Sequence, residues 1–461
     1  MGTFLFLIMY LVLMGLVVLV PHSLRRFHVP SVVAIMLTGI VIGPNALDLL
    51  GHLAKWMNGA YSAEQLRTVI EAFGLLGLVF LMALAGMEVD LRLLTVEKKA
   101  VTLLSILTFA LPAAAGYGVY HLFRPEDEIG KWVYASLFAS HSVGIVFPVI
   151  RELGVSRTRF GVSILGSTVV TDVLSLILLA VTIQYKRMQT HAGPMTSFSL
   201  FDRIDASSLG NWFGVVFVGV VIIYMLLCIW LLPIVWKRVL TAFNAKDDIH
   251  VTYFLFAVLI VVAVGEFLGV NLIVGAFIAG LAVIRSEGFE HLGRHLHRKL
   301  EGVGFGLMIP FLFLMIGMDS QPKVLVENSG NLAIALMTVV GLVASKVFSG
   351  WLAMRLSGFS NLKGICAGLM TVPQLSATLA AAAVALELQM LDTSFFNAIV
   401  VLSMATTIPV PTLVRYIIYK FNVKFDDAFQ PLPGTSGFTP AIPLDDNINR
   451  SQLLQQDPRR R

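Results

Sequence analysis

Long runs of apolar residues alternate with short polar segments along the chain as far as about residue 420. Each run holds about 17–25 residues, the length that a helix needs to cross the hydrocarbon core of a bilayer. The pattern therefore predicts an all-α polytopic membrane protein with about thirteen transmembrane helices. The predicted spans are 3–20, 30–49, 68–88, 100–121, 132–150, 160–184, 211–236, 250–267, 270–285, 302–318, 331–354, 364–388 and 395–418.

Three segments do not fit a simple series of separate apolar spans. The runs 250–267 and 270–285 are so close that they also fit a single bent hairpin. Residues 285–301 are polar and basic, which predicts an amphipathic linker at the inner membrane surface. Past residue 420 the chain is polar and rich in proline. We therefore expect a transmembrane domain over 1–420 and a disordered cytoplasmic tail over 421–461.

Composition agrees with a membrane protein and excludes several other classes. Only 13% of the residues are charged and 57% are apolar, whereas a soluble domain carries about 25% charged residues. A disordered chain, a disulfide scaffold and a cytosolic enzyme do not fit these values. The net charge of +5 does not indicate nucleic-acid binding, because the basic residues lie in short loops between apolar runs. The two cysteines, Cys228 and Cys366, lie within apolar runs and are expected to be buried thiols without a redox role.

Lysine and arginine are distributed unevenly between alternate loops. One set of loops carries roughly twice as many of these residues as the other, and the richer side of a membrane protein is the cytoplasmic one. With an odd number of spans, the N-terminus is predicted outside and the C-terminus in the cytoplasm. The protein is thus expected to be a multi-pass protein of the cell (inner) membrane.

Two charged residues, Asp172 and Lys346, lie near the middle of apolar runs. Each costs about 2.5–3.5 kcal/mol to insert at the bilayer centre, so opposite charges are expected to pair. One interpretation is a buried bridge that only ties two helices together, although such bridges are weak stabilisers. The functional interpretation is a carboxylate that binds either a monovalent cation or a proton, which couples two opposite fluxes. Thr168, one helical turn before Asp172, and Thr171 beside it could supply oxygen ligands.

Polar residues near a proline interrupt two of the predicted helices. Span five contains Ser140, His141 and Ser142, and span twelve contains Thr371, Pro373 and Gln374. Interrupted helices at matching places in two inverted halves are typical of a transport site. His141 is open to two interpretations, since a lone histidine in an apolar helix is either a hydrogen-bonded core residue or a pH-sensing, site-lining one.

Nothing in the sequence favours an enzyme. The chain contains neither His-Glu-x-x-His nor Gly-x-Ser-x-Gly, and no cofactor or nucleotide-binding domain is expected. An intramembrane hydrolase would need one of these arrangements or a cluster of metal ligands within the spans.

Four segments together carry a resemblance to a known family. They are Val29–Pro44, Leu76–Leu91, Gly275–Leu281 and Pro310–Asp319. Their order along residues 1–420 resembles that of the monovalent cation/proton antiporters of the sodium/proton exchanger-like superfamily, and more closely its cation/proton antiporter-2 branch.

The resemblance implies inverted repeats, two crossing discontinuous helices and an elevator mechanism, in which a mobile core moves against a dimerisation domain of a homodimer. It also implies that Asp172 is the ion-binding aspartate and that Lys346 is the basic residue paired with that region. This chain departs from the family at Thr171, where many members have Asp, Asn or Gln, and at His141, in a segment that usually carries Thr or Ser. With Asp172 as the single carboxylate, exchange is expected to be one-for-one and electroneutral, whereas proton release by Lys346 would make it electrogenic.

The sequence thus predicts an antiporter that exchanges Na⁺ or K⁺ for H⁺. The alternative is a gated potassium efflux system of the glutathione type, or another potassium-selective efflux protein, whose core is similar. A transporter of organic anions is disfavoured by the mid-span carboxylate. The expected partners are membrane lipid, monovalent cations, protons and a second copy of the chain.

Overall fold

The computed structural model describes residues 2–24, 26, 29–44, 46–56, 62–87, 97–142, 145–146, 149–150, 153–155, 158–189, 212–242, 250–283, 299–321, 323–324, 328–407, 409–421 and 423. Helices account for the regular structure of these residues. In chain order they are α1 Gly2–Leu24, α2 Ser31–Ile42, α3 Leu49–Trp56, α4 Ala63–Met87, α5 Lys98–Phe123, α6 Glu128–Ala139, α7 Arg159–Gln189, α8 Phe213–Ala242, α9 His250–Phe267, α10 Leu272–Val283, α11 Ile309–Asp319, α12 Ser329–Leu356, α13 Asn361–Met370, α14 Ser376–Glu387, α15 Thr393–Thr407 and α16 Pro409–Lys420. A π-helical turn, Gly304–Met308, leads into α11.

Every predicted span overlaps at least one of these helices, which confirms the all-helical membrane fold. Seven helical segments of the described chain are long and apolar enough to cross a membrane, and five shorter apolar helices accompany them. The total of thirteen spans stays a prediction. The close pair of runs is two separate helices, α9 and α10. The predicted linker and the predicted tail lie almost wholly outside the described residues.

The helices pack as two bundles. The first, which we call the scaffold bundle, consists of α1–α4 and α8–α11, and the second, the core bundle, consists of α5–α7 and α12–α16. Packing between the bundles is sparse and involves mainly α7 against α8 and α10, and α14 against α4 and α11. The described residues therefore form two bundles that share a thin interface.

The packing partners reveal an internal repeat. In the core bundle α5 packs on α6 and α7, and α12 packs in the same way on α13 and α15. In the scaffold bundle the pairing of α2 with α11 corresponds to the pairing of α10 with α4. The second half of the chain thus repeats the contacts of the first, as the two interrupted runs predicted.

Glycines permit the closest of these helix contacts. A Cβ atom on Gly280 of α10 would lie 1.9 Å from the carbonyl oxygen of Ala83 in α4, and one on Gly39 of α2 would lie 2.2 Å from that of Leu314 in α11. Both glycines belong to segments that carry the family resemblance. Small residues let helix backbones approach in lipid, where packing rather than the hydrophobic effect joins helices.

Ion pairs between helix ends fix which ends share a face of the protein. Arg159 at the start of α7 donates through Nε to Glu97 at the start of α5, over 2.6 Å. Arg187 near the end of α7 pairs with Glu266 near the end of α9, over 3.0 Å. Helix α7 therefore runs from the face where α5 starts to the face where α9 ends, which the lysine and arginine distribution predicts to be the outer one. Because α4 and α5 are consecutive spans, α4 ends at the face where α5 starts.

Candidate functional site

Both predicted interruptions are breaks in helices of the core bundle. Helix α6 ends at Ala139, and Ser140 takes extended backbone angles (φ −60°, ψ 163°). In the second half α13 ends at Met370 and α14 starts at Ser376, so residues 371–375 are not helical. Pro373 in this segment has no N–H to continue a helix, and the hydroxyl of Thr371 donates to the carbonyl of Gly368 over 2.7 Å.

A buried polar network holds the two breaks together. The Gln374 side chain donates from Nε2 to the carbonyl oxygen of Ser140 over 2.7 Å, and the Ser140 hydroxyl lies 2.9 Å from Gln374 Oε1. Thr378 of α14 completes the network, since its hydroxyl contacts both the Ser140 hydroxyl and the Gln374 amide oxygen. The structure therefore brings Ser140 and Gln374 together, across 234 positions of sequence.

Asp172 lies in the middle of α7, beside the first break. Its side chain is buried, and the residue is 8% exposed. The backbone N–H of His141 donates to Asp172 Oδ1 over 2.9 Å. This N–H belongs to the non-helical segment after α6, where backbone groups have no helical partner. The break thus supplies a hydrogen bond to the charged form of the carboxylate.

Lys346 of α12 reaches the same break from the other side. It is completely buried, and its ammonium donates to the carbonyl oxygens of Ala139 and Ser140 over 2.9 and 2.8 Å. These carbonyls form the C-terminus of α6, the negative end of the helix dipole. Lys346 also interacts electrostatically with Asp172. Lys346 and Asp172, the predicted pair, therefore both bind the break after α6. The ammonium donates to carbonyl oxygens there, and the carboxylate accepts from the N–H of His141.

A small cavity adjoins Asp172 between the two bundles. Its volume of about 20 Å³ is enough for roughly one water-sized particle. Three serines supply polar side chains to its wall: Ser136 on α6, Ser140 at the break that follows α6, and Ser175 on α7. Apolar residues of the scaffold bundle close the other side, including Met82 of α4 and Phe277 of α10.

Ser136 and Ser175 escaped the sequence analysis. A periodicity argument could have found them, because Ser136 lies four positions before Ser140 and Ser175 three positions after Asp172. Residues at such spacings share one face of a helix.

The two predicted threonine ligands lie along α7. Thr168 donates to the carbonyl of Ile164 over 2.9 Å, and Thr171 lies 2.8 Å from the carbonyl of Ser167. The Thr171 hydroxyl also contacts Nδ1 of His141. Thr171 and His141, the two positions at which this chain departs from the family pattern, are thus in contact beside Asp172.

His141 and Ser142 bring two further polar atoms into this interior. Within the described part of the chain, His141 Nε2 and the Ser142 hydroxyl are buried without a hydrogen-bond partner. The same part contains no group of three or more His, Cys, Asp or Glu arranged to hold a metal ion. Carboxylate and hydroxyl oxygens favour hard cations over the softer transition metals, which prefer thiolate or imidazole ligands.

Comparison with known proteins agrees with this architecture. The family model for the transmembrane part of sodium/hydrogen exchangers matches residues 9–417. The probable Na⁺/H⁺ antiporter 3 of Methanocaldococcus jannaschii is 32% identical over 418 residues, which cover 90% of this chain and 97% of that protein. The Na⁺/H⁺-K⁺ antiporter GerN of Bacillus cereus is 26% identical over 395 residues, covering 85% of this chain and 90% of that one.

A solved structure shares the fold. The sodium proton antiporter MjNhaP1 from Methanocaldococcus jannaschii, determined at pH 8, superposes with a TM-score of 0.62 at 14% identity, over 91% of this chain and 98% of that one. The family match, the shared fold and the buried carboxylate at crossing broken helices lead to one conclusion: the chain belongs to the sodium/hydrogen exchanger family of membrane transporters.

Proposed function

We propose that this protein is a secondary active antiporter that exchanges Na⁺ or K⁺ for H⁺, with cation and proton competing for Asp172. The observation that carries the proposal is the position of Asp172. It is a buried carboxylate on a cavity between two bundles, at the point where two helices of the core bundle are broken. The relatives named as Na⁺/H⁺ antiporters support the choice of substrates.

Competition follows from the small number of groups at this site. The charged carboxylate can hold a cation together with oxygen atoms of Ser140 and Ser175, which line the same cavity. A proton on Asp172 removes the charge that attracts the cation. Because both loaded forms of the carboxylate are neutral, either can move through the low-dielectric interior, whereas the empty charged form is costly to move. Exchange through Asp172 alone is therefore one-for-one and electroneutral.

Alternating access in this proposal is an elevator movement of the core bundle against the scaffold bundle. The thin interface between the bundles supports it, because few contacts must be exchanged when one body slides on the other. Asp172, Lys346 and both breaks lie on the core bundle and would move as one unit. We further propose a homodimer in the cell membrane, with the C-terminus in the cytoplasm.

The test is a transport assay in proteoliposomes with a trapped pH-sensitive dye. Addition of Na⁺, K⁺ or Li⁺ to vesicles with an acidic interior should raise the internal pH for each transported cation. Asp172→Asn should fold and give no response, because an amide neither titrates nor carries charge. Retained proton-coupled flux in Asp172→Asn would contradict the proposal. Potassium efflux that moves no protons would instead favour the gated efflux alternative.

A further inference from the structure

We propose that Arg187 and Glu266 form an electrostatic latch that stabilises one of the two transport states. The inference rests on the proposed sliding of the core bundle against the scaffold bundle. Arg187 belongs to α7 of the core bundle and Glu266 to α9 of the scaffold bundle. Their Nη1 and Oε2 atoms are 3.0 Å apart, so the pair bridges the interface along which movement would occur.

The lining of the Asp172 cavity indicates which state is held. The residues of α7 that line the cavity are Asp172 and residues that follow it toward Arg187, as far as Leu179. From α4 it takes Met82 and Ala85, close to the end of that helix at Met87 on the opposite face. The middle of the core bundle therefore lies beside the inner end of α4. Relative to α4, the core bundle is thus displaced toward the face that is predicted to be cytoplasmic.

Movement to the opposite state would carry Arg187 outward. Glu266 is fixed at the outer end of α9, so the separation of the two side chains would grow with the displacement of the core bundle. A pair at 3.0 Å loses its hydrogen bond within the first ångströms of such a movement. The pair thus favours the inward-displaced state and must break before the outward state forms.

The environment of the pair sets the size of its effect. The side chains of Arg187 and Glu266 are 25% and 35% exposed, so water and salt screen their attraction. Pairs of this kind change an equilibrium by about two- to five-fold. That is enough to bias the populations of two states and too little to prevent their exchange.

A distance measurement in the intact protein tests the latch. Spin labels would be attached to Leu122→Cys at the outer end of α5 and Leu47→Cys beside α3, positions that are 65% and 61% exposed, after replacement of Cys228 and Cys366. Neutralisation by Arg187→Gln or Glu266→Gln should raise the population at the longer outward distance about two- to five-fold. The charge-swapped double variant Arg187→Glu/Glu266→Arg should restore the parent distribution.

A matched control separates the latch from a general loss of charge. Arg124 pairs with Asp392 over 3.2 Å, but both residues belong to the core bundle and lie near the same face. Arg124→Gln should therefore leave the distance distribution unchanged. The latch is refuted if neither neutralised variant shifts the populations, or if the control shifts them equally. Because the readout is a distance, the result holds even if the transport assay shows no exchange.

Discussion

Replacement of Lys346 by methionine tests whether the buried ammonium supports both the fold and the site. Lys346→Met keeps an unbranched side chain, shorter by one atom, and removes its charge. The carbonyl of Ser140 retains the hydrogen bond from Gln374, over 2.7 Å, while the carbonyl of Ala139 loses its 2.9 Å bond to the ammonium. An unsatisfied buried acceptor costs about 1–3 kcal/mol.

The charge balance adds a second cost. Without Lys346, Asp172 keeps the His141 N–H but loses a cationic neighbour in the protein interior, and an uncompensated buried charge is strongly destabilising. We expect a total loss of about 2–4 kcal/mol in the free energy of unfolding when Asp172 is charged. The loss should shrink at low pH, because protonation neutralises the carboxylate. Exchange should require more alkaline conditions, because the charged form of Asp172 is less favoured.

Thermal unfolding in detergent, followed by tryptophan fluorescence at several pH values, measures the loss of stability. The liposome assay measures the shift of exchange to more alkaline pH. Lys131→Met is the matched control. Lys131 is a second buried lysine of the core bundle. It lies near the start of α6 and donates to Pro125 and Glu128, far along the helix from the carbonyls at the break. This control should keep the pH profile of exchange. An unfolding temperature and a pH profile of Lys346→Met that both equal the parent values would refute the reasoning.

Two further substitutions examine the packing around the site. Gln374→Leu removes both links to Ser140 and should slow exchange at least tenfold while the protein remains folded, as judged by gel filtration; an unchanged rate would show that the network does not hold the crossing. Gly280→Ala places a methyl group against the carbonyl of Ala83 and should lower the yield of folded protein, whereas Gly118→Ala, with open space around the new methyl group, should not. Equal yields would contradict the close packing of α4 and α10.

The sequence revealed the helices well because the bilayer imposes a length and a polarity on each span. Asp172 and Lys346 stood out for the same reason, since charges in apolar runs are rare. The two breaks were visible because serine, threonine and proline interrupt otherwise apolar helices. The crossing of the two breaks could not be predicted from local sequence, because Ser140 and Gln374 meet only through the packing of α6 with α14.

Other features depend on tertiary structure that no local pattern reports. The contact between Lys346 and the end of α6 depends on how α12 lies across the break, so the sequence suggested only a charge pair. Ser136 and Ser175 are ordinary small residues whose spacing from Ser140 and Asp172 shows only a shared helix face, and the cavity shows that these faces line one space. The pairing of Arg187 with Glu266 joins two bundles whose boundary the sequence does not mark.

The central claim is that one carboxylate binds either a cation or a proton. The most direct test is the number of protons released when Na⁺ or K⁺ binds to the purified protein in weakly buffered detergent solution, near the pH at which half of the sites are protonated. Saturating cation should release about half a proton per site there, and Asp172→Asn should release none, while Glu64→Gln, which alters an exposed carboxylate of α4, should behave like the parent. Cation binding without proton release in the parent protein, or undiminished release in Asp172→Asn, would contradict the account.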